Sequence, residues 1–256
     1  MGIRAILFDL DDTLVHRPGG VDWERVTAAQ AERVRRSPGA EALRGRDLEA
    51  LVRELWEAFG RELPEPESPS EPPHDERRWQ AGAALLGMML RTAGIEVAVS
   101  HVVGFWEELF RVPPQVFGRH AFPDAEPALR ELRARGFQLA VVTNRFTPAE
   151  FVVGELGRLG LHDHFTAVVT AGDVGYRKPH PAVFERALAE FRVAPHEAVM
   201  VGDDYELDVQ GAARVGVAAI MKLNGRGGAP PRQTPAVRTL SELLAFDRLQ
   251  AAGQAD

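Results

Sequence analysis

The segment Phe8–Val15 reads FDLDDTLV and crowds Asp9, Asp11 and Asp12 directly behind the apolar run Ile3–Phe8. Neighbouring carboxylates disfavour one another's charged forms, so this spacing is costly unless something positive joins it. GDD at Gly202–Asp204 repeats the arrangement behind a second apolar run, AVMV. Two acidic strand ends can converge on one hard cation, and an oxygen-only donor set suits Mg²⁺, which also bridges to phosphate. Zinc sites are richer in Cys and His, and this chain has no Cys. A plainer account stands beside this one. An Asp-rich turn can simply cap a helix, Asp204 can be an exposed turn residue, and Asp208 can either cap the next helix or orient a metal shell.

Two further segments carry the complementary chemistry. Lys178 opens KPHP, where a lysine set before a proline-led helix can neutralise a phosphate or an aspartate nucleophile. Thr143 and Asn144 follow QLAVV and offer a hydroxyl and an amide to anionic oxygens. Taken singly, a lysine is ordinarily a solvated surface group and the Thr-Asn pair is a weak signal.

These residues need strands to hold them. Apolar runs at Ile3–Phe8, Gln138–Thr143, Phe165–Thr170, Ala198–Gly202 and Val217–Met221 predict five strands buried on both faces. Helical spacing lies between them, at Ala128–Leu132 before Gly136, at Phe151–Leu159 after Pro148, at Pro181–Phe191 and at Val209–Val215. The alternation predicts an α/β fold, a Rossmann-like parallel sheet flanked by helices. Residues 16–118 break the rhythm with amphipathic patches at Trp23–Arg36, Asp47–Phe59, Arg77–Arg91 and Val102–Phe110. They read as a mainly helical cap domain inserted after the first strand, leaving 1–15 and 119–256 as the catalytic core. LPEPESPSEPP at Leu63–Pro73 reads as a surface loop, and the leucines from Leu240 to Leu249 as a packing helix.

Composition narrows the partners. The 45% hydrophobic share is enough for a core without staples, and the net charge of −7 disfavours gripping nucleic acid. Apolar runs fall short of the roughly 18 residues that cross a bilayer. A cytoplasmic protein with no membrane partner is expected, its oligomeric state open.

In this order, the four pieces resemble the haloacid dehalogenase-like hydrolase superfamily, in its magnesium-dependent phosphatase branch. The resemblance covers Gly2–Val15 and about Ala121–Met221, and the intervening helices resemble the cap of many members. It implies Asp9 as nucleophile, Asp11 as general acid/base and Thr13 as support, completing the pattern Asp-x-Asp-x-Thr. It further implies Thr143 as phosphoryl binder with Asn144 assisting, and Lys178 as the charge near the nucleophile. Mg²⁺ would be held by Asp9, Asp203 and the backbone carbonyl of Asp11. The family commonly places Ser or Thr after Gly-Asp and often ends the motif in Asn-Asp. Asp204 and Leu207-Asp208 stand here instead, which leaves their roles open.

The implied reaction is hydrolysis of a small phosphorylated metabolite through an aspartyl-phosphate. A phosphomutase would share that intermediate. A 2-haloacid dehalogenase resembles the first motif without the acid/base Asp, so Asp11 and Asp203–Asp204 argue for phosphate. A phosphate-ligand binding or regulatory protein on the same scaffold is the non-enzymatic alternative. Asp9, Lys178 and Asp203 are expected to share one cleft, under a cap hinged near Val15–Gly20 and Arg111–Gly118. His16, Arg17, Trp23, His74, Trp79, His101 and Trp106 are its candidate inward residues, each also explicable by packing or exposure.

Overall fold

The computed structural model describes residues 2–63, 75–224 and 234–250. The first apolar run forms β1 (Ala5–Phe8), in which every residue is buried. A short β2 (Val15–His16) leaves the core and β3 (His120–Ala121) re-enters it, the two paired antiparallel. Then come β4 (Gln138–Thr143), β5 (Ala167–Thr170), β6 (Ala198–Gly202), β7 (Ala218–Lys222) and β8 (Ala236–Val237). Six of these strands form one parallel sheet in the order β5-β4-β1-β6-β7-β8.

Alternation along β1 shows why its run is apolar throughout. Ile6 and Phe8 join one core with Leu129, Val141 and Val201, whereas Ala5 and Leu7 join another with Ala140, Phe184 and Met200. Helices supply both coverings, as a parallel sheet requires.

Between β2 and β3 lie α1 (Trp23–Arg35), α2 (Leu48–Glu62), α3 (Asp75–Thr92) and α4 (Val99–Phe110). Asp22 and Asp47 start the first two by accepting from the Arg25 and Ala50 amides, each at 3.0 Å. Val34, Leu55, Leu86, Phe105 and Trp106 give these helices a hydrophobic core of their own. The remaining helices are α5 (Ala125–Ala134), α6 (Ala149–Arg158), α7 (Ala171–Val174), α8 (Pro181–Phe191) and α9 (Gly211–Arg214).

Three expectations change. A sixth strand, β8, joins the five read from the sequence, because two residues beside β7 are too few to show a period. The C-terminal leucines form 3₁₀ turns at Leu240–Ala245 and Asp247–Leu249 instead of one helix. Phe246 takes extended backbone between them, yet Leu240, Leu243 and Leu249 are all buried. The stretch around Val209 is a π-helical turn, Tyr205–Gln210, running into α9. Most of the Pro-rich loop after Leu63, His74 and Gly225–Gly228 lie outside the described residues. Among the described residues, no helix is long and apolar enough to cross a membrane.

Gly82 in α3 exists for close approach. A Cβ there would sit 2.2 Å from the ring of Trp106, which is fully buried. Elsewhere in a helix, Gly→Ala gains up to about 1 kcal/mol. Gly82→Ala should instead destabilise the protein, by roughly 1–3 kcal/mol through overpacking, measured as a lower midpoint in urea. An unchanged or raised midpoint would show that Trp106 has room to move.

Candidate active site

The chain builds outward from β1 through β4 to β5, then returns to the other flank of β1 with β6. Ligands of open α/β sheets bind at the carboxyl ends of strands where the order reverses, and Asp9 is the first residue beyond β1. Asp203 follows β6, Thr143 ends β4, and Lys178 reaches in from the loop before α8.

Lys178 is the centre of the arrangement. Its ammonium donates to Asp9 Oδ1 at 2.6 Å and to Asp208 Oδ1 at 2.7 Å, with all three residues buried. Ligand oxygens of Asp9, Asp203 and Asp208 all lie within 4.8 Å of one another. Three carboxylates face one ammonium, and the chemistry shows in their protonation. Burial works against the Lys178 charge, but Asp208 and Asp9 more than offset it and hold the ammonium above its ordinary pKa. Burial pushes the Asp9 carboxyl up and Asp208 adds to this, while Lys178 opposes both. Asp203 is raised to about 6 by burial, helped by Asp208 and Asp12. Such a set is short of positive charge. Its all-oxygen donors fit Mg²⁺, with Asp9, Asp203 and Asp208 as the side chains to hold it.

Neighbours orient each member. Asn144 clamps the Lys178 backbone, its Oδ1 accepting from the amide at 2.7 Å and its Nδ2 donating to the carbonyl at 3.3 Å. Both ends of the Asn144 amide are thus engaged with Lys178, which differs from its expected place on a phosphoryl oxygen. Thr13 Oγ1 donates to Asp203 Oδ1 at 3.4 Å, and Asn224 Nδ2 to Asp203 Oδ2 at 2.6 Å. Asp204 caps the π-helical turn, with Oδ1 accepting from the Glu206 and Leu207 amides at 2.9 and 2.8 Å. Of its two sequence readings, the turn is the one observed. Asp208, left open by the sequence, belongs to the carboxylate cluster.

The Asp11 side chain is not in that cluster. Its two oxygens accept from Arg145 Nε at 2.6 Å and Nη2 at 2.7 Å, a bidentate pair on the side of the open cleft. Surrounding protein works to raise the Asp11 carboxyl, but Arg145, seconded by Arg119 and Arg17, outweighs it and brings it down to about 2. Arg145 follows Asn144 at the β4 end, and Asn224 lies just past β7. Neither stands out in the sequence, although both lie just past a strand end, Arg145 after β4 and Asn224 after β7. Among the candidate inward residues, Arg17 and His16 both line the cleft over Asp11, and His16 also stacks on Phe122 with ring centroids 4.4 Å apart. His101 packs against Gly39, and Trp79 and Trp106 pack in the aromatic core of the helical layer.

Fold and site together define an α/β protein with an anionic, cation-ready centre at its sheet switch point. The chain belongs to the haloacid dehalogenase-like hydrolases, whose family model matches residues 3–216. It is 33% identical to a phosphoserine phosphatase of Thermus thermophilus over 92% of this chain and 95% of that relative. It is 30% identical to a glyceraldehyde 3-phosphate phosphatase of Methanopyrus kandleri, over 88% of this chain and 85% of the other. A 2-haloacid dehalogenase structure from Pseudomonas syringae superposes with a TM-score of 0.62 at 29% identity, covering 95% of this chain and 97% of that one.

Gly202 makes the cluster possible, because a Cβ on it would lie 2.2 Å from Asp208 Oδ2. Gly202→Ala should therefore move Asp208 off Lys178 and weaken Mg²⁺ binding by roughly 10–100-fold, read by titration calorimetry on protein of unchanged circular dichroism. Wild-type affinity in the variant would remove Asp208 from the metal's surroundings.

Proposed function

We propose that this protein is a Mg²⁺-dependent phosphatase that hydrolyses a small phosphomonoester through an aspartyl-phosphate on Asp9. One observation carries the reading. Asp9 is held against Lys178 inside the carboxylate cluster, while Asp11, two residues on, faces the open cleft from outside it. That separates a nucleophile from an acid, as two-step phosphoryl transfer needs. The phosphatase relatives support the same reaction class.

In the first step, a carboxylate oxygen of Asp9 attacks phosphorus and the bond to the alcohol oxygen breaks. Asp11 donates a proton to the departing oxygen. Because Arg145 stabilises the Asp11 carboxylate, Asp11 must be released from that pair before it can carry the proton. In the second step, Asp11 takes a proton from water, the oxygen attacks the phosphorus, and phosphate leaves Asp9. Lys178 favours the charged form of Asp9 against burial and orients it, and Asn144 fixes the loop that carries Lys178. Thr143, buried at the end of β4, is the proposed hydroxyl contact for the phosphoryl group. A bound Mg²⁺ on Asp9, Asp203 and Asp208, with the Asp11 carbonyl, would supply positive charge for the phosphoryl oxygens. The helical layer serves as a cap that limits water around the leaving group.

Purified protein should release phosphate from a panel of small phosphomonoesters with Mg²⁺ and stop when the metal is chelated. Asp9→Asn should abolish release, and Asp11→Asn should lower kcat by roughly 10²–10⁴-fold. Chloride released from 2-chloropropionate, with no phosphate from any ester, would establish a dehalogenase instead.

A further inference from the structure

A cavity of about 220 Å³ lies between the helical layer and the sheet, walled by Trp23, Trp56, Phe110, Phe117, Phe146 and Phe151. One corner is charged and largely closed on itself. There Glu155 Oε2 accepts from Arg119 Nη1 at 3.0 Å and from Arg145 Nη1 at 3.5 Å. Glu155 Oε1 and Arg119 Nε are the two buried polar atoms of that corner without a partner among the described residues.

The cavity adjoins the reaction centre through two side chains. Arg145 lines it while its Nε and Nη2 hold Asp11. Arg119 lines both this cavity and the cleft of about 370 Å³ that opens over Asp11 and Asp12. Asp11 is thus separated from this space by the Arg145 side chain alone. At the rim, Trp23 is the first residue of α1 and is 60% exposed, although it is the residue type with most apolar surface to hide.

We infer that this cavity receives the leaving-group end of the substrate, and that this end is bulky and apolar, an aryl-bearing alcohol rather than a sugar. The inference rests on the phosphatase reading above. Sugar hydroxyls entering here would lose water along the aromatic walls and meet polar groups only at Gln30, Thr147 and the charged corner, which disfavours them. An aromatic ring would meet the faces and edges of six others. Pockets of this lining, apolar walls with a few convergent polar groups, hold ligands by burial and orient them by the polar corner. Trp23 closes over the ring from the solvent side.

The test compares 2-phenylethyl phosphate with ethyl phosphate, whose alcohols are alike in basicity, using Mg²⁺-loaded enzyme. The phenylethyl ester should show a kcat/KM at least about 10-fold higher. Neither Trp23 nor Phe117 belongs to the packed cores. Trp23→Ala and Phe117→Ala should each cut the preference several-fold while circular dichroism stays unchanged. The non-hydrolysable 2-phenylethylphosphonate should shift the tryptophan emission of the wild type, and the shift should be reduced in Trp23→Phe, which leaves Trp56 as the remaining tryptophan of the wall. Equal kcat/KM for the two esters, with phosphate released from both, would overturn the cavity's role and leave the phosphatase reading intact. Phosphate from neither would overturn that reading and this inference with it.

Discussion

A single buried ammonium, Lys178, holds the chemistry of this protein together. Two carboxylates within 2.7 Å of it are buried with it, and a third lies in the same cluster. Buried carboxylates without a cation would protonate rather than stay charged, and Lys178 offsets part of that tendency. It does not offset all of it, since three carboxylates exceed one ammonium, and Asp203 is held above the ordinary carboxylate range by burial first and by Asp208 and Asp12 after it. This electrostatic deficit is what makes the cluster suited to a divalent cation.

Much of the surrounding structure keeps that ammonium in place. Lys178 sits in a loop, and loops drift unless anchored, so both ends of the Asn144 amide are committed to its backbone. Asp208 reaches the cluster because the residue beneath it lacks a side chain, and because the π-helical turn capped by Asp204 carries it inward. The parallel strands, β1 and β6 buried throughout, then bring these separate segments to one edge, where the reversal of strand order opens a crevice.

A second ion pair links this centre to the helical layer. Arg145 binds Asp11 through Nε and Nη2 and Glu155 through Nη1, and Glu155 in turn holds Arg119, which borders the cleft. Phe146, the next residue, packs against Phe59 and Phe110 of the inserted helices. The loop after β4 thus touches Asp11, the cavity and the inserted helices together. A change in any one would be felt by the others through direct contact rather than through distance.

Apolar runs and their alternation were enough to read five strands, the α/β class and the helical insertion, because burial on both faces leaves a local pattern in composition. Asp9 and Asp203 stood out for the same reason, each following a buried run, and Lys178 stood out ahead of the proline that opens α8. The two-residue β8 and the 3₁₀ turns near Leu240 were not, since pairing and a break at Phe246 decide them. Nor were Arg145, Asn224 and the choice between readings of Asp204 and Asp208. Those depend on which charged groups meet across more than a hundred residues in some cases, as Arg145 meets Asp11. The sequence by itself determined which groups are available and which strand ends present them. Only the tertiary structure decided their partners, because a carboxylate's role as cap, ion pair or cation ligand is set by the charges and burial that folding places around it.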